Sequence, residues 1–554
     1  MKLKTSSSDL TIVKKDITRF APAWALYSVF LLLMYIVVIS SRGSYAAEGF
    51  YDTTWALSII NFCYALICGQ LLFGDLFNSR MANALHAMPI RREAWFAGHI
   101  VSGLLFSLVP NGILALVMIP ACGDVPLLPW LWLLTNVCQY LFFFSLAAVC
   151  ALCVGSRFAM AVVYGLVNFG SLLVYWLLDT LYIPQLYGVI LSGEPFLQWS
   201  PVVYGTMNIP YDRSMTGLYP NEEMHLTLIP EILAYIGILA AVGAVLVVIA
   251  LVLYRKRHLE AAGDFIAVNR LKPVFLILYT LMMGAAFQFL LGMFGTGSNY
   301  IYLVIGVLVG YFTGQMLLMR TTRVFGKRSL LGFAVFSAVL VLSLVITAVD
   351  PLGIASFVPK PEQVSSVSIN HEESEDPEVI AELTRIHGII LNEPGVTNGF
   401  ATSVNLTYTM KDGTTIQRHY VITNNGDAHK LLEPIMSRPE FVLERLYSNP
   451  SLLANATIAD YYGEDVKMTE SQKNELYRAI LADCEAGTMA QGSYNSGNQN
   501  KQAYHLYFQL FDPDTRSYYH ISIWVYDEAE NTVSWLKEQG LYQKWQEDID
   551  DGKW

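Results

Sequence analysis

The stretch FNSRMANALHAMPIRREAWFAGH, Phe77 to His99, lies between two long apolar runs. It is too polar to cross a bilayer and too patterned for a slack loop. Phe77, Met81, Ala84, Leu85 and Met88 recur at i, i+4, i+7, i+8 and i+11, the spacing of one helical face. Asn78, Arg80, Asn83 and His86 fall largely off that face, Pro89 stops the helix, and Arg91 and Arg92 precede the next apolar run. A short amphipathic helix with a proline stop is therefore expected within 77–92. What it is for depends on the runs that flank it.

Those runs are membrane-length. The chain has 554 residues, of which 54% are hydrophobic and only 15% charged, which is too apolar for an ordinary soluble enzyme. Nine runs reach the roughly 20 residues a bilayer core requires: 21–40, 54–74, 96–119, 129–154, 158–178, 232–253, 274–294, 299–319 and 330–349. None holds Asp, Glu, Lys or Arg, each of which costs about 2.5–3.5 kcal/mol at mid-span. With the N-terminus in the cytoplasm, the inside segments are 1–20, 75–95, 155–157, 254–273 and 320–329. They hold 18 of the 20 Lys and Arg of the first 350 residues, leaving only Arg42 and Arg213 outside. Nine spans then place 351–554 beyond the membrane. The expectation is an α-helical polytopic protein of the cell membrane with a cytoplasmic N-terminus and an extracytoplasmic C-terminal domain.

After residue 350 the chain reads as a globular sequence with 15 basic and 30 acidic residues. An acidic domain repels nucleic acid, which is excluded as a partner. Residues 361–554 read as one unit twice over, two α+β lobes at 351–455 and 456–554. The first has a helix near 377–391, a hairpin turning at Asp412-Gly413 and a helix near 427–446. The second has a helix near 469–486, a hairpin turning at 512–516 and a helix near 528–540. The stretch 487–502, rich in Gly, Ser, Asn and Gln, reads as a loop. Before the first span, Leu10, Ile12, Val13, Ile17 and Phe20 approximate one helical face and predict an interfacial helix in contact with membrane lipid. The long segment 180–228 reads as short re-entrant or surface helices around Gly193 and Pro195.

No catalytic set emerges and no metal site is expected. The C-x-x-C of Cys150 and Cys153 sits in an apolar run without a second pair, and His371 beside Glu372, Glu373 and Glu375 reads as a solvated acidic run. The strip Tyr504, Tyr507, Phe508, Tyr518, Tyr519 and Trp524 reads as core and strand face. No G-x-x-x-x-G-K-[ST] occurs, so the chain has no P-loop for nucleotide phosphates.

With an interfacial helix, six spans, a cytoplasmic helix between spans two and three, and a long excursion between spans five and six, the layout resembles permease subunits of the type 2 ABC exporter superfamily. NSRMANALHAMPIRREAWFAG after span two and LYRKRHLEAAGDFIAVNRLKPVF, 253–275, after span six resemble a bacterial subgroup with three extra spans and an extracytoplasmic C-terminal domain. The resemblance implies a six-span core over 1–254 and a linker with three further spans over 255–350. It implies a coupling helix at 77–92 that touches a separate ABC ATPase subunit through Phe77, Arg80, Met81, Leu85, His86, Pro89, Arg91 and Arg92. Arg257, Glu260 and Gly263 would form a second contact on the same side. It also implies a second permease copy or a related permease as partner, no cofactor bound directly, and ATP with Mg consumed by the ATPase subunit. The expected function is export or extraction of a hydrophobic, amphipathic or peptide-like compound by a non-enzymatic membrane subunit. The alternative is a sensor or immunity protein whose outer domain binds an antibiotic or cell-wall precursor.

Overall fold

The computed structural model describes residues 8–42, 46–87, 90–123, 125–207, 211–216, 223–257, 264–293, 299–370, 372–393, 401–423, 426–459, 466–489, 503–512 and 517–541. The chain divides into two compact units, Met1–Thr180 with Ser192–Val341, and Leu181–Leu191 with Leu342–Trp554. Among the described residues, nine helices are long and apolar enough to cross a membrane.

The first unit begins with α1 (Ser8–Arg19) and α2 (Ala21–Arg42), followed by α3 (Ala46–Thr53), α4 (Leu57–Leu72), α5 (Ser79–His86), α6 (Arg92–Met118), α7 (Leu128–Cys153) and α8 (Arg157–Leu177). Two short helices, α9 (Glu194–Gln198) and α10 (Pro201–Met207), and the hairpin β1 (Tyr211–Thr216) and β2 (Glu223–Leu228) lead to α11 (Pro230–Lys256). The long helices α12 (Lys272–Gly292), α13 (Asn299–Met319) and α14 (Lys327–Val349) follow. Prolines stand in the first turn of α7, α11 and α12, where the missing N–H is no loss, and the Ser156 hydroxyl caps α8 by accepting the Ala159 N–H. Gly306, Gly310 and Gly314 recur every fourth residue on α13. A Cβ at the first two would lie 2.7 Å from the Met283 carbonyl and 3.0 Å from the Thr280 carbonyl, so these glycines let α12 and α13 backbones touch.

Two expectations change. The second candidate span begins at Ala46 rather than 54, because Ala46, Ala47, Gly49 and Phe50 are buried and carry the helix back past Asp52 and Glu48. The segment 180–228 holds two short helices as expected, and also the β1–β2 hairpin, which was not expected.

The second unit contains two sheets, each with its own core. The first has the order β4-β3-β5-β6 from β3 (Val364–Ile369), β4 (Glu372–Ser374), β5 (Ala401–Met410) and β6 (Thr415–Thr423). Helices α15 (Pro377–Ile390) and α16 (Asp427–Met436) cover Val367, Leu406, Tyr408 and Tyr420. Short helices α17 (Pro439–Val442) and α18 (Arg445–Ser448) lead to β7 (Thr457–Ala459) and α19 (Glu470–Glu485). The sheet β7-β8-β9 is completed by β8 (Ala503–Asp512) and β9 (Ser517–Tyr526) and followed by α20 (Glu530–Glu538). Both sheets place a helix, a hairpin and a second helix after their opening strands, two strands (β3 and β4) in the first and one (β7) in the second. Gly413, at φ +84°, closes β5 to β6, as the Asp-Gly turn predicts. The helix expected over 427–446 is instead three pieces, because Arg438 adopts an extended conformation before Pro439 and ends α16. Of the aromatic strip, Tyr504 and Phe508 are buried, Tyr519 packs against the core, and Tyr507 and Trp524 occupy the opposite sheet face. His371 and most of 487–502 and 512–516 lie outside the described residues.

Candidate functional site

Helix α5 follows the tight turn after α4 in the first unit. The single stripe expected from Phe77 to Met88 is broken. A tight turn, Gly74–Phe77, ends at Asn78, whose backbone is extended at φ −116° and ψ 117°. Asn78 then acts as N-cap: its side-chain oxygen accepts the Arg80 N–H at 3.0 Å and its carbonyl accepts the Ala82 N–H at 2.8 Å. Phe77 accordingly packs inward against the bundle, separated from the stripe it was assigned to. On α5, Ala82 is buried at 1% exposure, whereas Met81 is 41% exposed and Ala84 and Arg80 are also exposed. Among the described side chains of α5, Ala82 is the one seated inward and Met81 turns outward. Arg91 is exposed and is the residue preceding α6, and Arg92 is half-buried. Leu85 and His86 belong to α5, and Pro89, Glu260 and Gly263 fall outside the described residues.

The root of α5 is fixed by three long side chains. Arg19, at the end of α1, grips Asp75 of the turn with two hydrogen bonds of 3.0 and 3.1 Å. Arg257, expected as a partner contact, donates three hydrogen bonds within the chain. Its Nη1 donates to the carbonyls of Ala151 (2.7 Å) and Leu152 (2.9 Å), capping the end of α7, and its Nη2 donates to Leu76 (3.3 Å). Burial lowers the Arg257 pKa from its ordinary value, with Cys153 and Tyr254 acting in the opposite direction. Arg255, two residues earlier, pairs with Glu93 of α6 at 3.2 Å.

A second tie holds α1 itself. Ile12 is buried against Gly98, where a Cβ would lie 2.6 Å from its Cγ2, so α1 and α6 approach closely. Asp16, 3% exposed, accepts the Ser102 hydroxyl at 3.0 Å and meets His99 Nδ1 at 2.8 Å. Sequence reasoning missed both groups; the signals were an Asp inside a basic amphipathic stretch and a lone His at the head of an apolar run. The turn after α7 is also pinned. Gly155 N–H donates to the Asp264 carbonyl (2.8 Å), Ala267 N–H to the Cys153 carbonyl (2.9 Å), and Asp264 pairs with Arg320 (2.8 Å).

The arrangement can transmit force or dock a partner. Among the described residues no group of three or more His, Cys, Asp or Glu is placed to hold a metal, and all seven cysteines are free. Compared with family models, curated proteins and solved structures, the chain has no match.

Proposed function

We propose that the chain is the membrane subunit of an ATP-driven transporter that moves or extracts a hydrophobic, amphipathic or peptide-like compound. In this reading α5 docks a separate ATPase subunit in the cytoplasm, and the 18-to-2 partition of Lys and Arg supports that side. The second unit then lies outside, as two lobes of similar order. The observation that carries the reading is α5 itself, a short helix that exposes Met81 and Ala84 while Asp75 and Leu76 at its root are held by Arg19 and Arg257. An interfacial helix that merely ended a hairpin would need no such foundation. The charges that fall within the candidate spans, such as Glu48 and Asp52 of Ala46–Leu72, lie toward their ends, and a lack of charge at mid-span favours an external ATP motor over proton or sodium coupling, which uses intramembrane charge.

The test is co-purification of an ATPase subunit from native membranes, together with substrate-stimulated ATP hydrolysis. Met81→Asp puts an unpaired charge into the contact and Arg91→Glu reverses one. Loss of a desolvated anchor typically costs about 2 kcal/mol or more, so each variant should weaken association at least tenfold at matched membrane levels. Full association and stimulation by both variants would overturn the docking role.

A further inference from the structure

The four-stranded sheet holds a cation that the fold leaves without a counter-charge. Arg418 lies on the inward row of β6 with Tyr420 and Ile422 and is 6% exposed. Its Nη2 donates to the Ile354 carbonyl (2.9 Å), its Nη1 donates to the Gln417 carbonyl (3.2 Å), and its Nε is buried with no partner. Among the described residues no carboxylate forms an ion pair with it. The groups beside it are neutral: the Tyr420 hydroxyl interacts with Arg418 and meets His387 Nε2 at 2.7 Å, and His387 Nδ1 meets the Tyr408 hydroxyl at 3.1 Å. A buried guanidinium in such neutral surroundings is costly until an anion joins it.

What covers this edge is slight. Residues 181–191 belong to the same unit as β6. They reach it through one ladder hydrogen bond, His419 N–H to the Gly188 carbonyl at 2.9 Å, and through a single bridge between Val189 and Arg418. On its other side β6 pairs with β5 at nine successive positions. Gly188 sits at φ +73° with the Tyr420 ring 1.9 Å from where a Cβ would stand, so only glycine fits there. Tyr187 lies over Tyr420 with ring centroids 5.3 Å apart and remains 40% exposed.

We propose that the outer edge of β6 is a binding site closed by the strap 186–190, and that its ligand is an extended peptide bearing a carboxylate. The ligand's backbone replaces the Gly188 carbonyl on the His419 N–H and continues along β6, and its carboxylate pairs with Arg418. The alternating donors and acceptors of a strand edge select an extended chain over a lipid headgroup, and one guanidinium matches one carboxylate better than a polyphosphate. This site does not depend on the docking of an ATPase.

The test uses the full chain in nanodiscs of neutral lipid. The probes are fluorescein-labelled eight-residue peptides of alternating Val and Thr, with Glu at position 3, 4 or 5, and their Gln counterparts. Gly188→Ala unseats the strap by steric contact, and Tyr187→Ala loosens it without adding an atom. At least one Glu peptide should bind one or both strap variants at least tenfold more tightly than it binds the parent chain, because closure lowers apparent affinity. Adding Arg418→Met, or using the Gln peptide, should cost at least tenfold. The proposal is overturned if no Glu peptide gains affinity in either strap variant, or if binding is indifferent to Arg418. Complete displacement by millimolar inorganic phosphate, or by anionic vesicles, would also overturn it by assigning the site to a free anion or a lipid.

Discussion

Arg257 offers the sharpest separation of foundation from contact. Replacing it with Met keeps an unbranched apolar stem and removes three donated hydrogen bonds, to Ala151, Leu152 and Leu76. The two short bonds to the α7 terminus come from a charged donor and are worth roughly 1.5–3 kcal/mol each, while the third, at 3.3 Å, is worth less. Against this stands the desolvation of a largely buried cation, which depresses its pKa and which Met avoids. The net loss should be about 2–4 kcal/mol, and two carbonyls at the end of α7 are left unsatisfied. In a unit of more than 300 residues that lowers Tm by only several degrees, at roughly 2 °C or less per kcal/mol. The assay is thermal unfolding of purified full-length protein in one detergent, followed by Trp fluorescence, beside Arg91→Glu as comparison. Arg257→Met should lower Tm and Arg91→Glu should leave it unchanged. An unchanged Tm for Arg257→Met, with partner association lost, would refute the clamp and restore Arg257 as a contact residue.

Two further outcomes follow from the packing and the charges. In the second unit, burial together with Glu444 raises the Glu372 pKa to about 8, and burial with the field of Arg418 lowers that of His387 to about 4. A raised carboxyl pKa gives stability that is complete below the unfolded value and is lost as pH rises through about 8. A lowered His pKa gives stability that is present above about 6.5 and is lost as pH falls toward 4. Between about 4.5 and 6.5 the two contributions oppose each other, so stability of the second unit should fall mainly as pH rises from about 6.5 toward 8. Glu372→Gln should remove that fall and uncover the acid loss from His387, and His387→Phe should leave the Glu372 slope standing alone; a pH profile unmoved by either variant would contradict this. In α6, Gly103→Val places its Cβ 2.0 Å from Phe144 Cζ and should destabilise the first unit by about 1–3 kcal/mol, whereas Gly112→Ala meets nothing within 4 Å and should be neutral or slightly stabilising, both read in the thermal melt of the full-length protein.

The elements whose signal is local were legible in the sequence. Uninterrupted apolar runs marked the nine long helices to within a few residues, apart from the second, and Asp412-Gly413 marked the β5–β6 turn. The capping box of Thr469 and Gln472 sits where α19 was expected to start. What sequence reading missed depends on distant partners. The periodicity of Phe77–Met88 was real as spacing, but Asn78 caps more strongly than the stripe propagates, so Phe77 turned inward. Arg257 resembled any positive-inside arginine, and only the folded ends of α7 and the turn 74–77 make it a clamp. The short strands β3, β4 and β7 carry too few residues for an alternation to stand out. The assignment of 181–191 to the second unit was invisible, because the bond that makes it joins Gly188 to His419.

The ties around α5 bear on how a docking helix must be built. A partner that pushes on Met81 moves the bundle only if α5 is stiffer at its root than at the contact. Asp75 is held by a bidentate guanidinium, Leu76 by Arg257, and the following helix by the pair Glu93–Arg255. These grips come from three separate places in the chain: the end of α1, the end of α11 and the first turn of α6. Because α1 is itself locked to α6 through Asp16, His99 and Ser102, a displacement of α5 is delivered to α1, α6, α7 and α11 together. Under the proposed function this predicts that Asp75→Asn loosens coupling more than it loosens docking. The Arg19 pair is partly solvent-exposed and worth at most about 1 kcal/mol in stability. The ATPase subunit should still co-purify with Asp75→Asn while substrate stimulation of hydrolysis falls. If association and stimulation fell in parallel, α5 would act as a simple attachment point, and the network at its root would be only packing.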